Sequence, residues 1–176
     1  DKRGNALEQT TVREYFDEAA QGFLFSEAQV ITNDPFNFHD RTYHSVIRNY
    51  DSTDIVMDNF VDMQEINYLV YDRFGNTVDQ TIDSYTTYDI DPNNLVDHKV
   101  IHNDYEDAIA QRRGNASTTT VTRYLSTTEN LANQIDRTVT VTDLFDNRGF
   151  AVDQTTDTYV VDLDGQEKLA SRSIVH

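Results

Sequence analysis

Carboxylates are the commonest chemical group in this chain: 31 of its 176 residues are acidic against 14 basic ones, a net charge of -17. Two stretches place oxygen ligands at the spacing of a calcium loop. Asp89-x-Asp91-x-Asn93 alternates them as the start of an EF-hand loop does, although Asn94 stands where that loop has glycine and Val100 where it has its closing glutamate. Asp162-x-Asp164-Gly165 is a second partial loop. Ca2+ is therefore the one candidate cofactor, held by these residues or by acids converging between neighbouring units. The competing reading is a set of turns whose Asp and Asn side chains bind their own backbone.

Other pairings lead to less. Asp79 and Asp83 lie four residues apart, about 13 Å along a strand, too far to share a proton or a metal within that strand; a solvated acidic face is the simpler reading. His98 and His102 have the i,i+4 spacing of a helical metal pair, but a strand separates them by the same ~13 Å. His39, His44 and His176 complete the histidines. No Gly-x-Ser-x-Gly, no phosphate-cradling glycine loop and no cysteine occurs, so the chain carries no signature of nucleophilic catalysis and is expected not to be an enzyme. Asn115-Ala116-Ser117 is an N-glycosylation triplet, followed by Thr118-Thr119-Thr120, and makes Asn115 a candidate glycan site.

The charge also selects partners. A strongly negative field repels phosphate backbones and anionic membrane surfaces, so nucleic acid is excluded as an expected partner. No apolar run approaches the ~18 residues of a membrane-spanning helix. With no cysteine, disulfides and Cys-based metal or redox chemistry are excluded. Hydrophobic residues make up 38% of the chain, too many for a disordered acidic tail and few for a thick core.

The elements that position these groups are repeats. Four segments align on a glycine: Gly4-Asn5-Ala6-Leu7-Glu8-Gln9-Thr10, Gly75-Asn76-Thr77-Val78-Asp79-Gln80-Thr81, Gly114-Asn115-Ala116-Ser117-Thr118-Thr119-Thr120 and Gly149-Phe150-Ala151-Val152-Asp153-Gln154-Thr155. Tyr71-Asp72 and Phe145-Asp146 precede two of them, and a worn copy is expected at Tyr50-Asp51. A second element recurs between these turns as His44-Ser45-Val46-Ile47, His98-Lys99-Val100-Ile101 and Arg172-Ser173-Ile174-Val175. Asp34-Pro35, Asp91-Pro92 and Asp164-Gly165 stand before them as further turn chemistry.

Between turns the chain is rich in Thr, Val, Ile and Tyr, which fit a pleated surface. The expectation is an all-β chain of tandem antiparallel hairpins, forming a sandwich or a stacked β-array with little helix. Val12 to Gln21 and Asp104 to Arg113 are the two short helix candidates. The strand from Thr77 sorts its side chains into two sets; the one holding Asp79, Thr81, Asp83 and Tyr85 is expected to face water, as is its echo at Asp153, Thr155, Asp157 and Tyr159. The apolar side would then need a second sheet to cover it.

The signature aromatic-Asp-x-x-Gly-Asn before a Thr-rich strand, carried by Tyr71-Asp72-Arg73-Phe74-Gly75-Asn76 and in part by Phe145-Asp146-Asn147-Arg148-Gly149, resembles the YD (RHS-type) repeats of bacterial surface and secreted proteins. That resemblance implies an extracellular all-β repeat architecture, wrapped in some members as a shell around a toxin.

Joined end to start, Ile174-Val175-His176 and Asp1-Lys2-Arg3-Gly4-Asn5 rebuild the internal Leu69-Val70-Tyr71-Asp72-Arg73-Phe74-Gly75-Asn76 without a gap. Residues 1–176 thus read as one period of a β-repeat array, with sub-units 1–70 and 71–176. The functional expectation is a structural segment of an extracellular or cell-surface fibre whose partners are further copies of itself, meeting through Ile174, Val175, His176, Asp1 and Leu7. The alternative is an acidic adhesive module that binds carbohydrate or calcium, with Tyr85, Tyr88, Tyr124 and Tyr159 as stacking platforms.

Overall fold

The computed structural model describes all residues, Asp1–His176. Ten strands form one antiparallel sheet in chain order: β1 (Glu8–Asp17), β2 (Gly22–Asn33), β3 (His44–Tyr50), β4 (Phe60–Tyr71), β5 (Thr77–Tyr85), β6 (Leu95–Asp104), β7 (Thr118–Tyr124), β8 (Gln134–Phe145), β9 (Ala151–Val161) and β10 (Glu167–Val175). The only α-helix, α1 (Ala108–Arg112), is capped by the Asp107 carboxylate, which accepts from the backbone N–H of Ile109 and Ala110. It lies within the second helix candidate. The first candidate, Val12 to Gln21, is strand as far as Asp17, because every residue from Glu8 to Asp17 has a partner in β2.

All ten strands share one sheet, so the chain is a β-array and not a sandwich. Two compact units divide it: Asp1–Asn67 with Asp83–Val96, and Tyr68–Ile82 with Asp97–His176. They interleave along the chain rather than parting near residue 70.

In the first unit, cover for the apolar face comes from loops. Val46, Met63 and Tyr85 form a buried cluster with Phe60 and Leu95 packed against it. From the loop that follows β5, Tyr88 meets Phe60 edge-on at 5.6 Å and lies over the Arg48 guanidinium at 4.7 Å. Tyr85 and Asp83 are therefore buried, not water-facing as their sequence pattern suggested. Burial, with the Asp83 and Glu65 charges nearby, pushes the Tyr85 hydroxyl up to about 12.

The second unit has one buried apolar residue, Ala110, and is tied by polar pairs across its strands. Arg137 grips Glu167 through two bonds of 2.8 Å, and Arg172 grips Asp157 through two of 2.6 Å. Arg123 forks onto Asp136, and the Thr140 and Thr156 hydroxyls lie 3.1 Å apart. Cross-strand pairs of this kind are the unit by which an antiparallel sheet is stabilised.

Two connection types account for most of the chain reversals. Five-residue turns 72–76, 146–150 and 162–166 join β4–β5, β8–β9 and β9–β10. Nine-residue loops 51–59, 86–94 and 125–133 join β3–β4, β5–β6 and β7–β8; each follows a tyrosine (Tyr50, Tyr85, Tyr124) and ends on an asparagine (Asn59, Asn94, Asn133). Tyr50-Asp51 thus opens a nine-residue loop and is no worn glycine turn. Gly114 likewise closes α1, its N–H reaching the Gln111 carbonyl. Once these two are removed from the glycine series, the turns at Asp1, Asp72 and Asp146 stand 71 and 74 residues apart. Each of the first two introduces four strands, and the third introduces β9 and β10.

Candidate assembly interface

The five-residue turns are built by one aspartate. In 72–76, the Asp72 Oδ1 accepts from the backbone N–H of Phe74 at 2.8 Å and of Asn76 at 2.9 Å. The Gly75 N–H reaches the Asp72 carbonyl at 3.2 Å, with Gly75 at φ 95°, a conformation that suits glycine. Asp146 repeats this with Arg148 and Phe150 at 2.8 and 2.9 Å, and Asp162 with Asp164 and Gln166 at 2.9 and 3.2 Å. Asp1 repeats it again: its Oδ1 accepts from Arg3 and Asn5 at 2.9 and 3.0 Å, and Gly4 sits at φ 92°.

The closing bond completes the match. Asp72 N donates to Asn76 O at 2.9 Å, Asp146 N to Phe150 O at 2.8 Å and Asp162 N to Gln166 O at 3.0 Å. The Asp1 ammonium donates to Asn5 O at 2.6 Å. In the three internal turns, that bond is the first rung of a ladder between two strands. At Asp1 the same rung stands beside β1, an outer strand of the sheet.

These bonds set the carboxyl pKa values. Burial alone would raise Asp72, but hydrogen bonds from Asn76, Phe74 and Gln111 outweigh it and hold the carboxyl below its ordinary value. The Phe150 N–H, with Arg148, does the same for Asp146. Lys168, with Gln166 and Asp164, does it for Asp162.

Three of the four turns dock on an inserted segment. In the second unit, Asn76 Nδ2 donates to the Gln111 carbonyl at 2.6 Å, and Gln111 Nε2 donates back to Asp72 at 3.0 Å. Asn115 Nδ2, the atom a glycan would occupy, donates to the Gly149 carbonyl at 2.7 Å. Gly149 runs so close to α1 that a Cβ there would lie 2.9 Å from the Ala110 nitrogen. In the first unit, Arg3 donates to the Asn37 carbonyl at 2.6 Å and pairs with Asp40 at 3.1 Å.

β10 forms the opposite outer strand. Ile174, Val175 and Leu7 are exposed. His176 pairs with Asp153 at 2.9 Å, as His102 pairs with Asp79 at 2.5 Å. The two edges differ in sign: β10 carries Lys168 and Arg172 against Glu167, whereas β1 carries Arg13 against Glu8, Glu14 and Asp17.

Two of the calcium candidates, Asp91 and Asp162, bind backbone N–H groups. Asp91 caps the turn at Pro92–Asn94 by accepting from Asn93 N at 2.9 Å; Asp89 contributes its carbonyl to the Thr87 hydroxyl. Asp162 is spent on its own turn and on Lys168, which also lies 3.7 Å from Asp164. The chain brings no three of these acids together.

Two features escaped the sequence reading. All three nine-residue loops carry a hydroxyl two residues after their tyrosine: Ser52 Oγ accepts from Asp54 N at 3.1 Å and Ser126 Oγ from Thr128 N at 3.3 Å, whereas the Thr87 hydroxyl donates to the Asp89 carbonyl at 3.1 Å. The thrice-repeated tyrosine and asparagine, nine residues apart, was the signal that could have revealed them. The other is the likeness of the Asp162 turn to those at Asp72 and Asp146; the sequence offered Asp162 as a calcium ligand or as the head of an Asx turn, but outside the glycine series. No family model, no curated protein and no solved structure matches this chain.

Proposed function

We propose that this chain is a structural segment of an extracellular β-array that lengthens by strand pairing between successive copies, the β10 edge of one lying along the β1 edge of the next. One observation carries the reading: the turn at Asp1 to Asn5 has the hydrogen bonds of the internal hairpin turns, down to the closing bond. A strand placed ahead of Asp1 would enter the ladder as β4 does before Asp72. Outer strands are ready templates for pairing, and the opposite charge of the two edges favours β10 against β1 over either edge against itself. The resemblance of the turns to YD repeats accords with an extracellular setting, and the charge of -17 keeps assembled copies soluble.

Sedimentation velocity over a concentration series tests it. Multimers are expected to grow with concentration, and Val175→Lys, a charge on the outer edge, to suppress them while the circular dichroism spectrum stays that of the parent. A strictly monomeric chain at all concentrations would refute noncovalent assembly, and a head-to-tail fusion of two copies melting no higher than one would refute the covalent form.

A second reading, an adhesive module, is favoured by one groove. In the first unit a space of about 620 Å³ has Thr10, Thr32, Arg48, Tyr50 and Tyr88 in its lining. A guanidinium stacked on an aromatic ring beside hydroxyls suits a carboxylated sugar. Calorimetry with oligogalacturonate tests it: binding lost in Arg48→Met would establish the site, and no heat with the parent protein would dismiss it.

A further inference from the structure

We infer that the apolar tip of the β1–β2 hairpin is a docking surface for a second copy of this chain, and that the turn 162–166 of that copy is its occupant, with Leu163 seated against Phe16 and Phe23. The inference rests on the edge-pairing reading above and adds the contact that makes the pairing specific.

The tip is unusual within its unit. β3 pairs with β2 only from Ala28 to Asn33, so residues 13–27 extend past it as two strands alone. At their end Phe16 and Phe23 meet edge to face, ring centroids 5.5 Å apart. Both rings nevertheless remain more than half exposed, Phe16 at 52% and Phe23 at 69%. Leu163, in the turn between β9 and β10, is fully exposed. Apolar side chains presented at turns in this way mark contact surfaces more often than isolated accidents when they cluster.

The register follows from the turns. In 146–150 the residues flanking the turn, Phe145 and Ala151, face each other, as do Val161 and Glu167 around 162–166. Applied to Asp1–Asn5, the same geometry sets His176 of the preceding copy opposite Ala6, Val175 opposite Leu7 and Ile174 opposite Glu8. Counting residue for residue along the antiparallel pair brings Lys168 to Glu14 and the start of β10 to Tyr15; the bulge that β10 shows at Ala170 against β9 shifts this by one residue, to Arg13 and Glu14. The turn 162–166 then arrives beside Phe16 and the hairpin end at residues 17–22. Two apolar features at opposite edges of one chain become neighbours across a junction. The acids around the tip, Glu14, Asp17 and Glu18, disfavour an anionic membrane as the alternative occupant.

The absence of native cysteine makes the test direct. In Leu7→Cys/Val175→Cys, two positions that would stand ~4.5–5.5 Å apart between Cα atoms are within disulfide reach. Mild oxidation is expected to give a ladder of covalent multimers on a non-reducing gel. Adding Leu163→Asp, an exposed turn position whose change leaves the monomer's spectrum intact, is expected to raise the concentration needed for the ladder at least about tenfold; Phe23→Asp is expected to do the same. A ladder indifferent to both changes would overturn the tip contact and leave edge pairing standing. No ladder at any concentration would overturn the tip contact and, with it, edge pairing between separate copies. Flotation of the parent protein with phosphatidylcholine vesicles, lost in Phe23→Asp, would assign the tip to a lipid surface instead.

Discussion

A single carboxylate organises each five-residue turn. Asp72 takes two backbone N–H groups, the Asn76 amide and the Gln111 amide. Asp72→Ala is expected to destabilise the fold by about 1–3 kcal/mol, because those donors lose their acceptor; urea denaturation measures it, and an unchanged midpoint would contradict the role assigned here. These groups also set a pH dependence. Asp72, Asp146, Asp157, Asp162 and Glu167 all have carboxyls held below their ordinary values. Their stabilisation is complete above about pH 4 and is lost as pH falls through the depressed folded values. His102 behaves oppositely. The hydrogen bond it donates to Asp79, aided by Asp104 and opposed by burial, raises its pKa, so its contribution is complete below about pH 6.5 and lost as pH rises through the folded value. Both sets act together only between about pH 4.3 and 6.5, and the thermal midpoint is expected to peak there. A midpoint still climbing above neutrality would refute this.

Among the elements, the junction of turn 146–150 with α1 is the tightest. Gly149 and Gly4 both adopt a positive φ, so alanine at either costs about 1–2 kcal/mol in backbone strain. Only at Gly149 does the added methyl meet backbone, 2.9 Å from the Ala110 nitrogen, whereas at Gly4 it meets nothing. Gly149→Ala is therefore expected to cost about 1–3 kcal/mol more than Gly4→Ala, read as the difference between their urea midpoints. Equal losses would show that the insert does not bear on the turn. Turns of this family were legible from the glycines and their aspartates. The nine-residue loops were not, because their shared geometry is held by hydroxyl and amide bonds to backbone that tolerate varied residues between Tyr and Asn.

For the whole molecule, the apolar core is small and lies in the first unit. Met63 is its one large side chain with no exposure. Met63→Ala is expected to cost about 2–5 kcal/mol, enough to unfold much of a marginal domain; circular dichroism melts measure it, and a loss below about 1 kcal/mol would mean that the loops do not close a core. Copies joined edge to edge would gain stability from neighbour contacts, as stacked repeats do, so the melting midpoint is expected to rise with protein concentration.

The sequence by itself determined that this chain is β-structured, that aspartate and glycine head its tight turns, and that its final residues match the stretch that leads into one of them. These are local matters of φ, alternation and turn hydrogen bonding, which a few adjacent residues decide. Tertiary structure alone decided that the strands form one sheet, that Gly114 caps a helix, and that Tyr85 is buried. Those outcomes depend on which loop folds over which strand face, and no short stretch of sequence holds both partners of such a contact.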